Sequence, residues 1–154
     1  MPRWSSVLIV LSLLVAPFNA YAKDEKVATV ERMIQAWNEQ DWDRVYEMFA
    51  PDGVLHSVMI EPVVGRDAIQ KRLSALVAGI TRIELRVRHI GVIDGIVFVE
   101  RVDDFDYKGN RGQVPVVGVI EVENGLVKVW REYYDRAQLL KAMGVPEEHD
   151  PTKH

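Results

Sequence analysis

At 154 residues, with a formal charge of −4 and no cysteine, the chain has room for one domain behind a leader. The negative balance gives no electrostatic reason to expect nucleic acid, and the lack of cysteine excludes thiol catalysis and a disulfide framework. Ordinary packing has to hold the fold.

Residues 1–22 read as a cleavable export signal. Arg3 supplies a positive start, Val7 to Val15 is apolar apart from Ser12, and Ala20-Tyr21-Ala22 forms a small-x-small cleavage site. The apolar run through Phe18 is shorter than the roughly 20 residues a membrane span needs, which makes an uncleaved anchor the weaker reading. The expectation is a secreted or periplasmic protein, free of the membrane after cleavage, with a single domain at 23–154.

In chain order, Val27, Val30, Ile34 and Trp37 recur at helical spacing and predict a helix over Lys23 to Asn38. Asp41 is placed to cap a second helix, Trp42 to Phe49, which Pro51-Asp52-Gly53 ends with a turn. Val54 to Met59 is short enough for a strand, and a third helix after Gly65-Arg66-Asp67 carries Ile69, Leu73, Leu76 and Val77 on one side. Trp37, Trp42, Met33 and Met48 read as core.

The period then changes to two. Ile83, Leu85, Val87 and His89 alternate against Glu84, Arg86, Arg88 and Ile90, so His89 falls on the apolar face. Asp94-Gly95 and Asn124-Gly125 favour tight hairpins, giving further strands at Ile96 to Phe105, Gln113 to Glu121 and Leu126 to Tyr134. Arg136 to Met143 adds a last turn or two of helix, before a loose tail from Pro146 to His154. Helices first and strands second predict an α+β domain, with a curved antiparallel sheet wrapped against the helices that can hold a pocket on its concave side.

Two strands carry charge where core is expected. Arg101 and Asp103 share a face with Val99. They fit a hydrogen-bonded pair on a concave face, or rim charges on a solvated one, and on this stretch alone the second is favoured because structural ion pairs are common. On the last strand Trp130, Glu132 and Tyr134 share a face, where a buried carboxylate between aromatics suits proton transfer near neutral pH. Trp130 as core with Glu132 at the sheet edge is the plainer alternative. His56, His89, His149 and His154 have no metal-ligand spacing, and there is no phosphate loop or nucleophile elbow.

Gly65-Arg66-Asp67-Ala68, Glu100-Arg101-Val102-Asp103 and Trp130-Arg131-Glu132-Tyr133-Tyr134-Asp135 resemble the limonene-1,2-epoxide hydrolases, within the ketosteroid isomerase and nuclear transport factor 2-like superfamily. The first motif is common across the superfamily; the other two are more specific. The resemblance runs from about Asp24 to Leu140. It implies a strongly curved antiparallel sheet enclosing a pocket, as in a cystatin-like cone, and one-step, cofactor-free opening of an epoxide by two acids bridged by an arginine, with Asp103 as general acid, Arg101 as bridge and Glu132 at the place of the water-activating aspartate. The family's water-holding tyrosine and asparagine fall on Leu55 and Ser57, of which only Ser57 can hydrogen-bond. The resemblance also implies a homodimer built on the sheet's outer face.

Three functions remain in view. The first is hydrolysis of a small apolar epoxide in a pocket lined by Leu55, Val99 and Trp130, with no metal or cofactor. The others are an isomerase or polyketide cyclase on the same fold, and a non-catalytic exported ligand-binding module.

Overall fold

The computed structural model describes residues 18–146, so the predicted signal lies outside the described residues as far as residue 17, as does the tail from residue 147. The chain runs α1 (Phe18–Asn38), α2 (Trp42–Glu47), β1 (Phe49–Ser57), β2 (Val63–Val64), α3 (Arg66–Val77), β3 (Ile80–Ile93), β4 (Ile96–Tyr107), β5 (Asn110–Glu123), β6 (Leu126–Tyr133) and α4 (Arg136–Met143). Asp41 caps α2 as expected, accepting from the Arg44 N–H at 3.2 Å. Asp135 caps α4 in the same way, accepting from the Gln138 N–H at 3.0 Å.

The strands form one curled, unclosed sheet in the order β2-β1-β6-β5-β4-β3. Strands β3 to β6 are antiparallel neighbours, as their hairpin turns dictate. Strand β1 pairs with β6 in parallel, so the sheet is mixed where an antiparallel one was expected. A parallel pair needs a long crossover rather than a turn, and everything from β2 to β5 lies between these two strands in the chain.

Three local expectations need correction. Phe49 opens β1 instead of closing α2, and Pro51-Asp52-Gly53 lies inside β1, where the pairing with β6 is irregular between Phe49 and Val54. A third hairpin turn, Lys108-Gly109, has both residues at positive φ (47° and 84°), matching Asp94-Gly95 (50° and 80°). Lysine at the first position hides it from a search for Asn-Gly or Asp-Gly. Finally, β3 is bulged between Val87 and His89. The extra residue reverses the alternation, so Ile90 and Val92 pack on the core while His89, 83% exposed, meets Glu100 at 2.8 Å.

The core has two parts. Val30, Met33 and Ile34 of α1 pack on Val97, Val99, Ile120, Val122, Val127 and Trp130. Phe105, Tyr107, Val114 and Val116 pack with Met143 of α4. Along the inward face of β4 the sequence reads Val97, Val99, Arg101, Asp103, Phe105, Tyr107, so the two charges fall where one cluster gives way to the other.

Candidate active site

Between the clusters lies a pocket of about 1110 Å³ of space between atoms, its open mouth included. Its walls are mostly apolar, among them Trp37, Leu73, Leu76, Ile83, Phe105 and Met143. Arg101, Asp103 and Glu132 stand together in its lining with Ser57 and Tyr134.

Arg101 is 2% exposed and holds both acids. Its Nε donates to Asp103 Oδ1 at 2.7 Å and its Nη2 to Asp103 Oδ2 at 3.1 Å, a two-point grip within one strand. The same Nη2 donates to Glu132 Oε1 across two strands. That reach passes over β5 at Gly118, which pairs with Val99 on one side and Glu132 on the other. The face of Trp130 lies 5.6 Å from the guanidinium carbon and adds a cation–π contact to a cation taken out of water. Nη1, buried against Gly118, has no hydrogen-bond partner among the described residues.

Glu132 accepts twice on one oxygen, from Arg101 and from the Trp130 indole N–H at 2.7 Å. Its Oε2 accepts nothing from the described residues. The carboxylate is therefore fixed through one oxygen and available through the other. Register explains how: Leu55 and Ser57 of β1 lie beside Trp130 and Glu132 of β6, and the Val58 N–H donates to the Glu132 carbonyl at 3.1 Å.

Burial pushes the Asp103 carboxyl above its ordinary range; the Arg101 cation opposes this and the Glu132 charge adds to it. Arg101 is held still more firmly as a cation: burial alone would weaken it, but the two acid charges and their hydrogen bonds outweigh burial. With one proton shared among two acids and one guanidinium the group is neutral, the state that a dry site favours.

Of the residues singled out from sequence, Arg101, Asp103, Glu132, Leu55, Ser57 and Trp130 all line the pocket. Val99 does not. It shares a face with Arg101 but is fully buried in the α1-facing core, one step too far along β4 to reach the cavity. Tyr134 and Gly118 were not assigned roles from sequence, although each carried a signal: Tyr134 shares the face of Trp130 and Glu132, and a glycine inside a strand often marks a close approach. Among the described residues no group of His, Asp or Glu is placed to hold a metal ion.

Residues 24–144 match the family described as limonene-1,2-epoxide hydrolase catalytic domain. The epoxide hydrolase EphG of Mycobacterium tuberculosis is 28% identical over 114 residues, covering 74% of this chain and 76% of that protein. The solved structure of an M. tuberculosis LEH-like epoxide hydrolase superposes with a TM-score of 0.70 at 26% identity, covering 79% of this chain and 90% of the other. A protein of ketosteroid isomerase-like fold from Catenulispora acidiphila, solved with trimethylamine, shares the fold at 20% identity and a TM-score of 0.69, over 80% of this chain and 97% of its own. The family match takes in every strand of the sheet and the whole arginine-bridged pair of acids, and the chain belongs to the limonene-1,2-epoxide hydrolase family.

Proposed function

We propose that this protein is an exported, cofactor-independent epoxide hydrolase that adds water to a small apolar epoxide in one step and releases a vicinal diol. One observation carries the reading: Arg101 grips Asp103 and Glu132 in an apolar pocket while Glu132 Oε2 accepts nothing from the described residues. Glu132 takes a proton from water as the water oxygen bonds to a ring carbon. The carbon–oxygen bond of the ring breaks, and Asp103 gives its proton to the departing oxygen. One proton has then moved from Asp103 to Glu132 and must return before the next turnover. Arg101 keeps the two acids in register throughout, and the apolar walls receive the rest of the substrate.

Export is supported by the leader pattern at residues 1–22 and by a family match that starts at residue 24, directly after the predicted cleavage site. N-terminal sequencing of protein recovered from the producing cell tests it, and an intact Met1 would refute cleavage. A homodimer is supported by Val117 and Tyr133, an exposed cross-strand pair on the sheet face opposite Glu132. Sedimentation showing only monomer at about micromolar concentration would sink that assignment.

The function is tested by incubating the mature protein with a panel of apolar epoxides and assaying for diols. Diol formation is the expected result. An isomerase, a cyclase or a binding module yields none.

A further inference from the structure

Of the two β1 residues that line the pocket beside Trp130 and Glu132, Leu55 has nothing to offer a water molecule, whereas Ser57 carries a hydroxyl. A phenol stands nearby. Tyr134 lines the same pocket as Ser57 and Glu132, and stands two residues beyond Glu132 along the chain. Ser57 is the direct neighbour of Glu132 across the β1–β6 pairing. Two hydroxyls, one on β1 and one just past the end of β6, thus share the pocket with a carboxylate whose Oε2 accepts nothing from the described residues.

We propose that Ser57 and Tyr134 together hold the attacking water against Glu132 Oε2, a role that rests on the hydrolase reading for its chemistry but not for its geometry. A buried water typically makes about three hydrogen bonds, and this corner offers three groups. Glu132 accepts one water proton, and the hydroxyl pair accepts the other. A lone pair is left for the ring carbon.

Burial, together with the charge of Glu132, pushes the Tyr134 phenol above its ordinary value against the opposite pull of Ser57 and Arg136. The phenol therefore keeps its proton at neutral pH.

The test combines two measurements on the mature protein, Tyr134→Phe, Ser57→Ala and the double variant. Crystals diffracting well enough to show ordered water should place one within roughly 2.6 to 3.2 Å of Glu132 Oε2 and the two hydroxyls in the unaltered protein, and lose it in the double variant. In kinetics each single variant should lower kcat about tenfold to a hundredfold, as expected for one lost hydrogen bond to the reacting group, with KM nearly unchanged. The double variant should fall by less than the product, because the hydroxyls act as a unit. No water at that position in the unaltered protein, or unchanged kcat in the double variant, would overturn the proposal. A seated water in a protein that opens no epoxide would instead refute the hydrolase reading and leave the water site standing.

Discussion

Gly118 lies under the guanidinium of Arg101: a methyl group built on it would come within 3.1 Å of Nη1 and 2.9 Å of a Val99 methyl. Arg101 starts on β4 and Glu132 on β6, so the bridge has to cross β5 at its lowest point, and glycine makes that point low. Gly118→Val should push the guanidinium off Glu132 and cost about 1 to 3 kcal/mol of stability through overpacking. The larger effect falls on turnover, with kcat reduced at least a hundredfold in protein that still melts cooperatively, and Gly118→Ala should lie between. Full activity in a folded Gly118→Val enzyme would show that bridging is dispensable.

Removing either proton-transfer group isolates its role. Asp103→Asn and Glu132→Gln keep the side-chain shape and should each lower kcat by about 10²- to 10⁴-fold, with an unchanged circular dichroism spectrum. Arg101→Ala is a different experiment, since it leaves two acids without their cation and is expected to destabilise by about 3 to 5 kcal/mol. Its activity is informative only below its own melting transition. Near-normal turnover in both carboxamide variants would return the acids to a structural role.

Neighbours on β4 should respond to pH with opposite signs. Asp103, facing the pocket, is raised by burial, whereas Asp104, facing outward, is lowered by hydrogen bonding to Arg82, with Arg86 adding its charge. For Asp103 the native state binds more protons than the unfolded chain above the ordinary value of 3.8, so its contribution is lost as pH rises through the raised value. For Asp104 the contribution is present above 3.8 and lost as pH falls below it. Melting curves from pH 3 to 8 should therefore show the wild type losing ground to Asp103→Asn at higher pH, and to Asp104→Asn at lower pH. Activity should fall on the alkaline side as Asp103 gives up its proton, and the same slope in both stability comparisons would contradict the assignment.

The face of a strand is readable from alternation, which is why Arg101 with Asp103, and Trp130 with Glu132 and Tyr134, could be grouped before any fold was known. Alternation fails where a residue is inserted, and the bulge before His89 turned an apparent core histidine into a surface one. Which strands are neighbours is not written in any local pattern. The parallel pairing of β1 with β6, which brings Ser57 beside Glu132, depends on how the whole chain returns to the sheet edge. Val99 shows the remaining gap: a shared face does not say how far along the strand the cavity extends.

The route of the oxygen atom separates direct hydration from a covalent mechanism. If Glu132 activates water, a single turnover with enzyme in excess in ¹⁸O-labelled water places one label in the diol and none in the protein. If a carboxylate attacked the ring first, water would cleave the resulting ester at its carbonyl, so the first diol would carry an unlabelled carboxylate oxygen and the label would remain on Asp103 or Glu132. Geometry favours the first route. Both oxygens of Asp103 are engaged by Arg101, and Glu132 is tethered through Oε1 by two donors, which leaves Oε2 as a base but restricts the carboxylate's advance on a ring carbon. The expected result is labelled diol and unlabelled protein by mass spectrometry of the intact chain. Unlabelled diol on the first turnover would refute base-activated hydration even where hydrolysis itself had been established.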